Sequence, residues 1–203
     1  MTDGPADAED LLAHPGDAGE IRGLTMFFAD LVDSTALSTQ VEPETYRLVV
    51  GRYREQVLRI VNRYEGRIGS TKGDGLLAVF GHPITHEDDV NRAVQAGLEI
   101  TRDVSRLSDQ SKRRFGFGVN VRVGVHWGLV YLDSARGDFS GSAANVVTWI
   151  SGLAPPGAVV VSDAVESLIR NDFELEARAP VAVKGVTQPI IHYRVVSERA
   201  PVA

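Results

Sequence analysis

Two aspartates, Asp30 and Asp74, stand at positions where a carboxylate could do chemistry. Asp30 closes the apolar run that begins at Leu24, and Asp74 lies in the KGDG turn between two strand-like runs. A carboxylate at the end of a buried strand is costly unless a cation or hydrogen-bond donors compensate it. If the two strands are neighbours in one sheet, the carboxylates converge, and their hard oxygen atoms suit Mg²⁺ or Mn²⁺. The alternative is that both are ordinary turn residues, because Asp is common in turns.

The segments around these aspartates have the patterns of a strand, a helix and a hairpin. Residues 24–31 are typical of a strand buried on both faces, and residues 33–39 (DSTALST) are typical of a polar turn. Apolar residues recur every three or four positions over 46–64, which predicts a long amphipathic helix. Residues 67–81 predict a tight hairpin that turns at KGDG.

The remainder of the chain alternates between strand and helix patterns. The predicted elements are a helix with an apolar stripe from Val90 to Val104, a strand over 119–125 that turns at Gly128 into a partner strand, a loop over 134–141, a helix over 145–153, a strand over 158–162, a short helix capped by Ser162 and a final hairpin over 181–196. This order predicts an α/β (α+β) sandwich with mixed strand directions and helices on at least one face.

Composition excludes several classes of function. The chain has 203 residues, a formal net charge of −6 and no cysteine, which excludes disulfides, thiolate zinc sites and cysteine nucleophiles. The acidic balance argues against nucleic acid as a partner. No apolar run approaches the roughly 18 to 20 residues that span a bilayer, and the amino terminus is acidic, so we expect a cytoplasmic protein without a membrane partner. We predict a flexible acidic tail over 1–20, one domain over 21–198 and a C-terminal tail over 199–203.

Four ordered segments carry a family resemblance: FADLVDST, GRIGSTKGDGLLAVFGHP, VRVGVHWG and GDFSGSAANVV. Together they resemble the catalytic domain of the class III nucleotidyl (adenylate and guanylate) cyclases over about residues 22–196, and several ordered motifs are more specific than one. The resemblance implies a ferredoxin-like core with a mixed β-sheet flanked by helices, working as a head-to-tail homodimer with two sites at the interface. It also implies attack of the ribose 3′-oxygen of a nucleoside triphosphate on its α-phosphorus, giving a 3′,5′-cyclic monophosphate and pyrophosphate.

The same resemblance assigns the metal ligands. Asp30 and Asp74 match the two metal-binding aspartates, and the carbonyl of Leu31 would complete the metal shell. The implied cofactors are two Mg²⁺ or Mn²⁺ ions per site, which lower the pKa of the attacking hydroxyl and neutralise charge on the triphosphate.

Phosphate binding is implied for one backbone segment and one lysine. Backbone N–H groups ahead of the following helix would hold the β- and γ-phosphates. This segment comprises Val32, Asp33, Ser34 and Thr35. Lys184, in VAVKG, matches a family phosphate-binding lysine, although a single lysine in a hairpin is more often simply solvated.

The half of the site that the partner subunit would supply is partly altered. Asp138 matches a base-reading position where Asp accepts from the adenine amino group, which favours ATP, and Asn145 matches the asparagine that orients the ribose. Ser70 stands where the family has a base-reading lysine, and Trp149 stands where it has an arginine that stabilises the transition state. Tryptophan offers one N–H and no charge, so it does not replace a guanidinium. Lys72 lies two residues beyond Ser70, on the same strand face, and either reaches the site or points into solvent.

These features leave three hypotheses. The first is an ATP-to-cyclic-AMP cyclase of low activity, because losing one preorganised donor costs about 10² to 10³ in rate. The second is a catalytically degenerate regulatory or nucleotide-binding module of cyclase fold, which Ser70 and Trp149 favour. The third is a dimerisation domain from a larger signalling protein.

Overall fold

A mixed β-sheet with helices on both faces is the framework of the computed structural model, which describes residues 19–133, 138–184 and 186–200. The side chains of residues 72 and 138 lie outside the described part, as do residues 1–18 and 201–203 of the two predicted tails. The strands are β1 (Glu20–Leu31), β2 (Arg67–Lys72), β3 (Gly75–Phe80), β4 (Val121–Asp133), β5 (Asp138–Ser140), β6 (Val159–Ser162), β7 (Phe173–Ala177) and β8 (His192–Glu198). Their order is β2-β3-β1-β4-β6-β8-β7, with β5 paired to β4. The β4–β6 pair is parallel and the others are antiparallel.

The helices divide between the two faces of this sheet. They are α1 (Ser34–Gln40), α2 (Pro43–Arg63), α3 (Asp89–Phe115), α4 (Ser142–Leu153) and α5 (Asp163–Ile169). Buried apolar residues of α2, α3 and α5 form one core with the sheet, and α4 packs on the opposite face. Proline at the first position of α2 and a left-handed Gly116 after α3 set the ends of the two long helices. The α/β sandwich predicted from the element order is confirmed.

Strand β1 is central, and its pairing brings the two sequence-distant aspartates to one edge. It pairs with β3 from Thr25 opposite Phe80 to Ala29 opposite Leu76, and with β4 along all twelve of its residues. Because β1 and β3 are antiparallel, the end of β1 lies beside the β2–β3 turn. Asp30 therefore lies at the same edge of the sheet as that turn.

Three local predictions were wrong in detail. Residues 34–40 form α1 rather than a turn; the helix buries no residue fully, so it left no apolar periodicity to detect. Gly128 does not turn, because β4 continues through it and pairs it with Leu24. The final hairpin does not form as predicted. Its second arm contains β8, which pairs with β7 outside the hairpin, and its first arm contributes only the bridge between Val181 and Ile190.

Helix α4 sits directly on the backbone of β4. A Cβ atom added at Gly124 would lie 2.6 Å from the amide nitrogen of Ser151 and 2.7 Å from the carbonyl oxygen of Val147, both in α4. Further along, a Cβ at Gly128 would lie 3.1 Å from Ala143 Cβ. The two glycines of β4 thus serve close helix–strand packing, and they fix where α4 lies along the sheet.

Within the described residues, no helix combines the length and apolarity needed to cross a bilayer.

We expect Gly124→Ala to destabilise the fold by roughly 1 to 3 kcal/mol, because the new methyl group meets the backbone of α4, which has no flexible end to move. Urea unfolding measures the change. The matched control is Gly152→Ala in α4 itself, where an added Cβ meets nothing within 4 Å and a helical alanine is favoured. Equal stability of Gly124→Ala and wild type would contradict the close packing of α4.

Candidate active site

The Asp30 carboxylate lies at the end of β1, where it is partly buried beside an arginine of the next strand. Its cross-strand partner in β4 is Arg122, and Arg122 Nη2 lies 3.5 Å from Asp30 Oδ2. Burial raises the pKa of Asp30 above its ordinary value; the Arg122 charge opposes this and the negative charge of Asp74 adds to it. The two carboxylates therefore act on each other electrostatically.

Asp74 is held from the side of α2. Its Oδ2 accepts a hydrogen bond from the Tyr46 hydroxyl at 2.7 Å, and its Oδ1 lies 3.8 Å from Arg54 Nη2. Arg54 Nη2 also donates to the carbonyl oxygen of Gly73 in the β2–β3 turn. The turn that carries Asp74 is thus tied to α2 through both its backbone and its carboxylate.

Two tyrosines of α2 lie close to the carboxylates. Tyr53 is fully buried, and burial together with the charges of Asp30 and Asp74 raises the pKa of its hydroxyl. For Tyr46, burial and the hydrogen bond to Asp74 raise the pKa to about 12, while a hydrogen bond from Ser34 works in the other direction. Tyr46 therefore stays protonated at neutral pH and donates to Asp74.

Three buried donors among the described residues near this carboxylate pair lack a hydrogen-bond partner. Within the described part of the chain, the Tyr53 hydroxyl, Arg54 Nε and Arg122 Nε are buried without a hydrogen-bond partner. Buried donors of this kind are costly unless a ligand satisfies them. Two carboxylates suit a cation, and the Arg122 guanidinium beside Asp30 suits an anion. This combination fits a metal-bound phosphate group.

An open depression of about 620 Å³ adjoins Asp30. Its described lining includes Leu31, Asp33, Ser34, Thr35 and Arg122. A helix's first turn leaves N–H groups without intrahelical acceptors, and here these belong to α1. The Val32 N–H, which the sequence predicts to bind phosphate, donates to the Asn120 carbonyl at 2.9 Å, just beyond the ends of β1 and β4.

The partner-side positions lie around β2, β5 and α4. Ser70 is exposed on β2, which packs against β5 so closely that a Cβ at Gly69 would lie 2.6 Å from Phe139 Cδ2. Asp138 begins β5 and Lys72 ends β2, and both of these side chains lie outside the described residues. The structure therefore brings the Ser70 strand next to the Asp138 strand.

The remaining predicted residues lie on or near the α4 face. Asn145 is exposed near the start of α4, and Trp149 follows one turn later, half-buried. Trp149 packs with a small apolar cluster that also includes Val183, the neighbour of the exposed Lys184. None of these three predicted residues is among the described residues that line the depression at Asp30.

Three residues at this site were missed from the sequence. Tyr46 was counted only as part of an apolar stripe, although its hydroxyl reaches Asp74. Arg54 and Arg122 carried no motif signal, because their proximity to Asp74 and Asp30 depends on helix placement and strand register. For Arg122, the pairing with Asp30 can be read from the sequence once the register between β1 and β4 is known.

The carboxylate pair is the candidate metal site. Among the described residues, no group of three or more His, Asp and Glu side chains converges, and Asp30 and Asp74 are the two carboxylates predicted from the sequence to bind a cation. Leu31 lies at the end of β1 beside them. Hard oxygen atoms of this kind fit Mg²⁺ or Mn²⁺, with the remaining coordination positions left to water and substrate phosphate.

Comparison with known proteins identifies a family for this chain. The family model "Adenylate and Guanylate cyclase catalytic domain" matches residues 17–197. An adenylate cyclase of Glutamicibacter nicotianae is 31% identical over 160 residues, which cover 78% of this chain and 36% of that protein, so the chain spans about a third of this relative's length.

Two solved structures share the fold at the same TM-score. The adenylyl cyclase CyaB from P. aeruginosa has a TM-score of 0.82 at 25% identity, covering 91% of this chain and 99% of that one. The guanylyl cyclase Cya2 has a TM-score of 0.82 at 24% identity, covering 90% of this chain and 96% of that one. The mixed sheet, the helices on its two faces and the family match together show that this chain belongs to the class III adenylate and guanylate cyclase family.

Proposed function

We propose that this domain converts ATP to 3′,5′-cyclic AMP and pyrophosphate at the interface of a homodimer, at a low rate. The observation that carries the proposal is the meeting of Asp30 and Asp74 at one edge of the sheet, beside the Arg122 guanidinium that lines the depression. In the reaction, the ribose 3′-oxygen bonds to the α-phosphorus and the bond from that phosphorus to the pyrophosphate oxygen breaks. The domain limits at 21 and 198 and a cytoplasmic location stay predictions from the sequence.

Asp30, Asp74 and the Leu31 carbonyl would hold two Mg²⁺ or Mn²⁺ ions. When bound, such ions lower the pKa of the attacking hydroxyl and neutralise charge on the triphosphate. The raised pKa of Asp30 supports this role. Burial and the second carboxylate destabilise the ionised form of Asp30, so a bound cation would stabilise it.

The triphosphate would lie in the depression beside Asp30. Backbone N–H groups of the segment Asp33, Ser34 and Thr35 would bind its terminal phosphates, and Lys184 of a second copy, next to the Trp149 cluster, would add a positive charge. Arg122 would contribute as well, because its guanidinium lines the depression and donates to Asp30 only through a long hydrogen bond of 3.5 Å. A cation on Asp30 would free this guanidinium for the phosphates.

The placement of α4 supports a dimeric site. Ala143 packs over Gly128, which pairs with Leu24, so the start of α4 lies near that end of β1. Asp30 is six residues further along the strand, which corresponds to about 20 Å. Asn145 is therefore far from Asp30 of its own chain, and a second copy would supply Asn145 and Asp138 to orient the ribose and accept from the adenine amino group.

The low rate follows from two positions. Ser70 and Trp149 lack the cations that the family uses to bind the base and to stabilise charge in the transition state. Loss of one such preorganised donor costs about 10² to 10³ in rate. Lys72 would compensate only if its ammonium group donates to the base.

The second candidate is a regulatory or nucleotide-binding module without catalysis. One observation favours it: Trp149 packs in an apolar cluster with Leu153 and Val183, which is a structural use of the catalytic position. The predictions that follow separate this module from the enzyme.

We expect Asp30→Asn and Asp74→Asn each to abolish Mn²⁺-dependent cyclic AMP formation, measured by chromatography of the nucleotide products. The surface variant Asp109→Asn is the matched control and should keep wild-type turnover. Unchanged turnover in either site variant would contradict the metal assignment.

The metal-free stabilities of these two variants should differ. Because the folded-state pKa of Asp30 is raised, its ionised form costs stability at neutral pH; this cost fades as the pH falls through the raised folded-state pKa and is gone below the unfolded pKa of about 4. Asp30→Asn should thus be at least as stable as wild type at pH 7, with the difference shrinking toward pH 3. Asp74→Asn should be less stable than Asp30→Asn, since it loses the charge that faces Arg54. A large loss of stability in Asp30→Asn would favour a purely structural Asp30.

Mixing two inactive variants tests the dimeric site. Asp30→Ala and Asn145→Ala would damage opposite halves of a shared site, so a mixed dimer would contain one intact site. Activity should partly return on mixing, measured after subunit exchange has been verified by labelled subunits. No recovery despite exchange would contradict a site shared between subunits.

Restoring the missing cations tests the low rate. Trp149→Arg should raise kcat by about 10² with little change in KM, and Ser70→Lys should act on KM and on the preference for ATP over GTP. Trp149→Gln is the matched control, because it removes the same packing without adding charge. Sedimentation verifies that all variants stay dimeric. No gain in dimeric variants that bind Mn²⁺ and nucleotide would favour the regulatory module.

A further inference from the structure

Asp74 has a second set of contacts that the family resemblance does not account for. Its carboxylate is only 17% exposed, and each oxygen faces a different group of α2: Tyr46 donates to Oδ2 at 2.7 Å and Arg54 Nη2 lies 3.8 Å from Oδ1. The supporting turn has a left-handed Gly73 with φ +61°, whose carbonyl accepts from the same guanidinium. The position of Asp74 therefore depends on two side chains of one helix.

These two side chains act on a cation site in opposite ways. A neutral donor on one carboxylate oxygen fixes the orientation of the group and leaves its negative charge for a metal. A guanidinium near the other oxygen brings a positive charge within a few ångströms of where a divalent cation would bind, and like charges repel. At 3.8 Å, Arg54 contributes its charge without a close hydrogen bond to Asp74.

We propose that Tyr46 and Arg54 set the metal affinity of this site, with Tyr46 as a positioning residue for Asp74 and Arg54 as an internal cation that competes with the metal. The proposal rests on the proposed function, because it assumes that Asp74 is a metal ligand. It explains how the turn can hold a buried carboxylate in the metal-free protein: Arg54 supplies positive charge until a metal replaces it.

The test is a Mn²⁺ titration of the nucleotide-free protein, followed by the electron paramagnetic resonance signal of free Mn²⁺. Arg54→Gln should bind Mn²⁺ roughly five- to tenfold more tightly than wild type, the size expected for removing a unit charge near a divalent cation in a partly solvated site. Tyr46→Phe should bind about tenfold more weakly, as is typical when a group that orients a metal ligand is lost. The opposite signs are the signature of the proposal.

Two controls separate charge from structure. Arg54→Lys keeps the charge and should bind Mn²⁺ as wild type does, even if it loses the bond to Gly73. Arg52→Gln removes a charge from the same helix at an exposed position that lies toward Leu107 and Arg114 of α3, and it should change nothing. Circular dichroism verifies that the variants are folded.

The outcomes distinguish a failure of this proposal from a failure of the proposed function. In one outcome, wild type binds Mn²⁺, Asp74→Asn abolishes that binding, and Arg54→Gln binds Mn²⁺ no more tightly than Arg52→Gln does. This outcome would overturn the role of Arg54 and leave the metal site in place. Equal weakening in Arg54→Gln and Arg54→Lys would show that the contact with Gly73 matters rather than the charge, and would also overturn it. Absence of Mn²⁺ binding in wild type would overturn the metal site and this proposal together.

Discussion

The pairing of β1 with strands on both sides is the constraint on which the site depends. Because β1 is antiparallel to β3, its last residues lie beside the turn that holds Asp74, and because it is antiparallel to β4, Asp30 lies opposite Arg122. A shift of one residue in either register would move these side chains to the other face of the sheet. The apolar residues of β1, buried on both faces between two cores, fix that register.

That register creates an electrostatic problem at the edge of the sheet. Two carboxylates come together where burial already disfavours their charged forms. Positive charge and hydrogen-bond donors reach the two carboxylates from two directions: Arg122 from the neighbouring strand, and Tyr46 and Arg54 from α2. The site is thus a balanced set of charges in the protein itself, and a metal-bound nucleotide would exchange places with some of them.

The sequence alone predicted the elements whose patterns are strong. The run ending at Asp30, the stripe of α2 and the KGDG hairpin each carry a periodic or turn signal, and the ordered motifs supplied the family. Contacts between elements escaped prediction, because Arg54 and Arg122 acquire their partners through helix placement and strand register. Gly128 was misleading for a related reason: glycine serves both turns and close packing, and here α4 needs the space above β4.

The packing of Trp149 bears on how such a domain changes over evolutionary time. Its ring belongs to an apolar cluster with Val146, Leu153 and Val183 of the α4 face, so its neighbours are matched to an aromatic side chain. A single substitution of Trp149 by arginine would exchange this packing for a charge with apolar surroundings. If Trp149 occupies the catalytic position proposed above, a change to arginine would need compensating changes around it, so this position would change together with its apolar neighbours rather than alone.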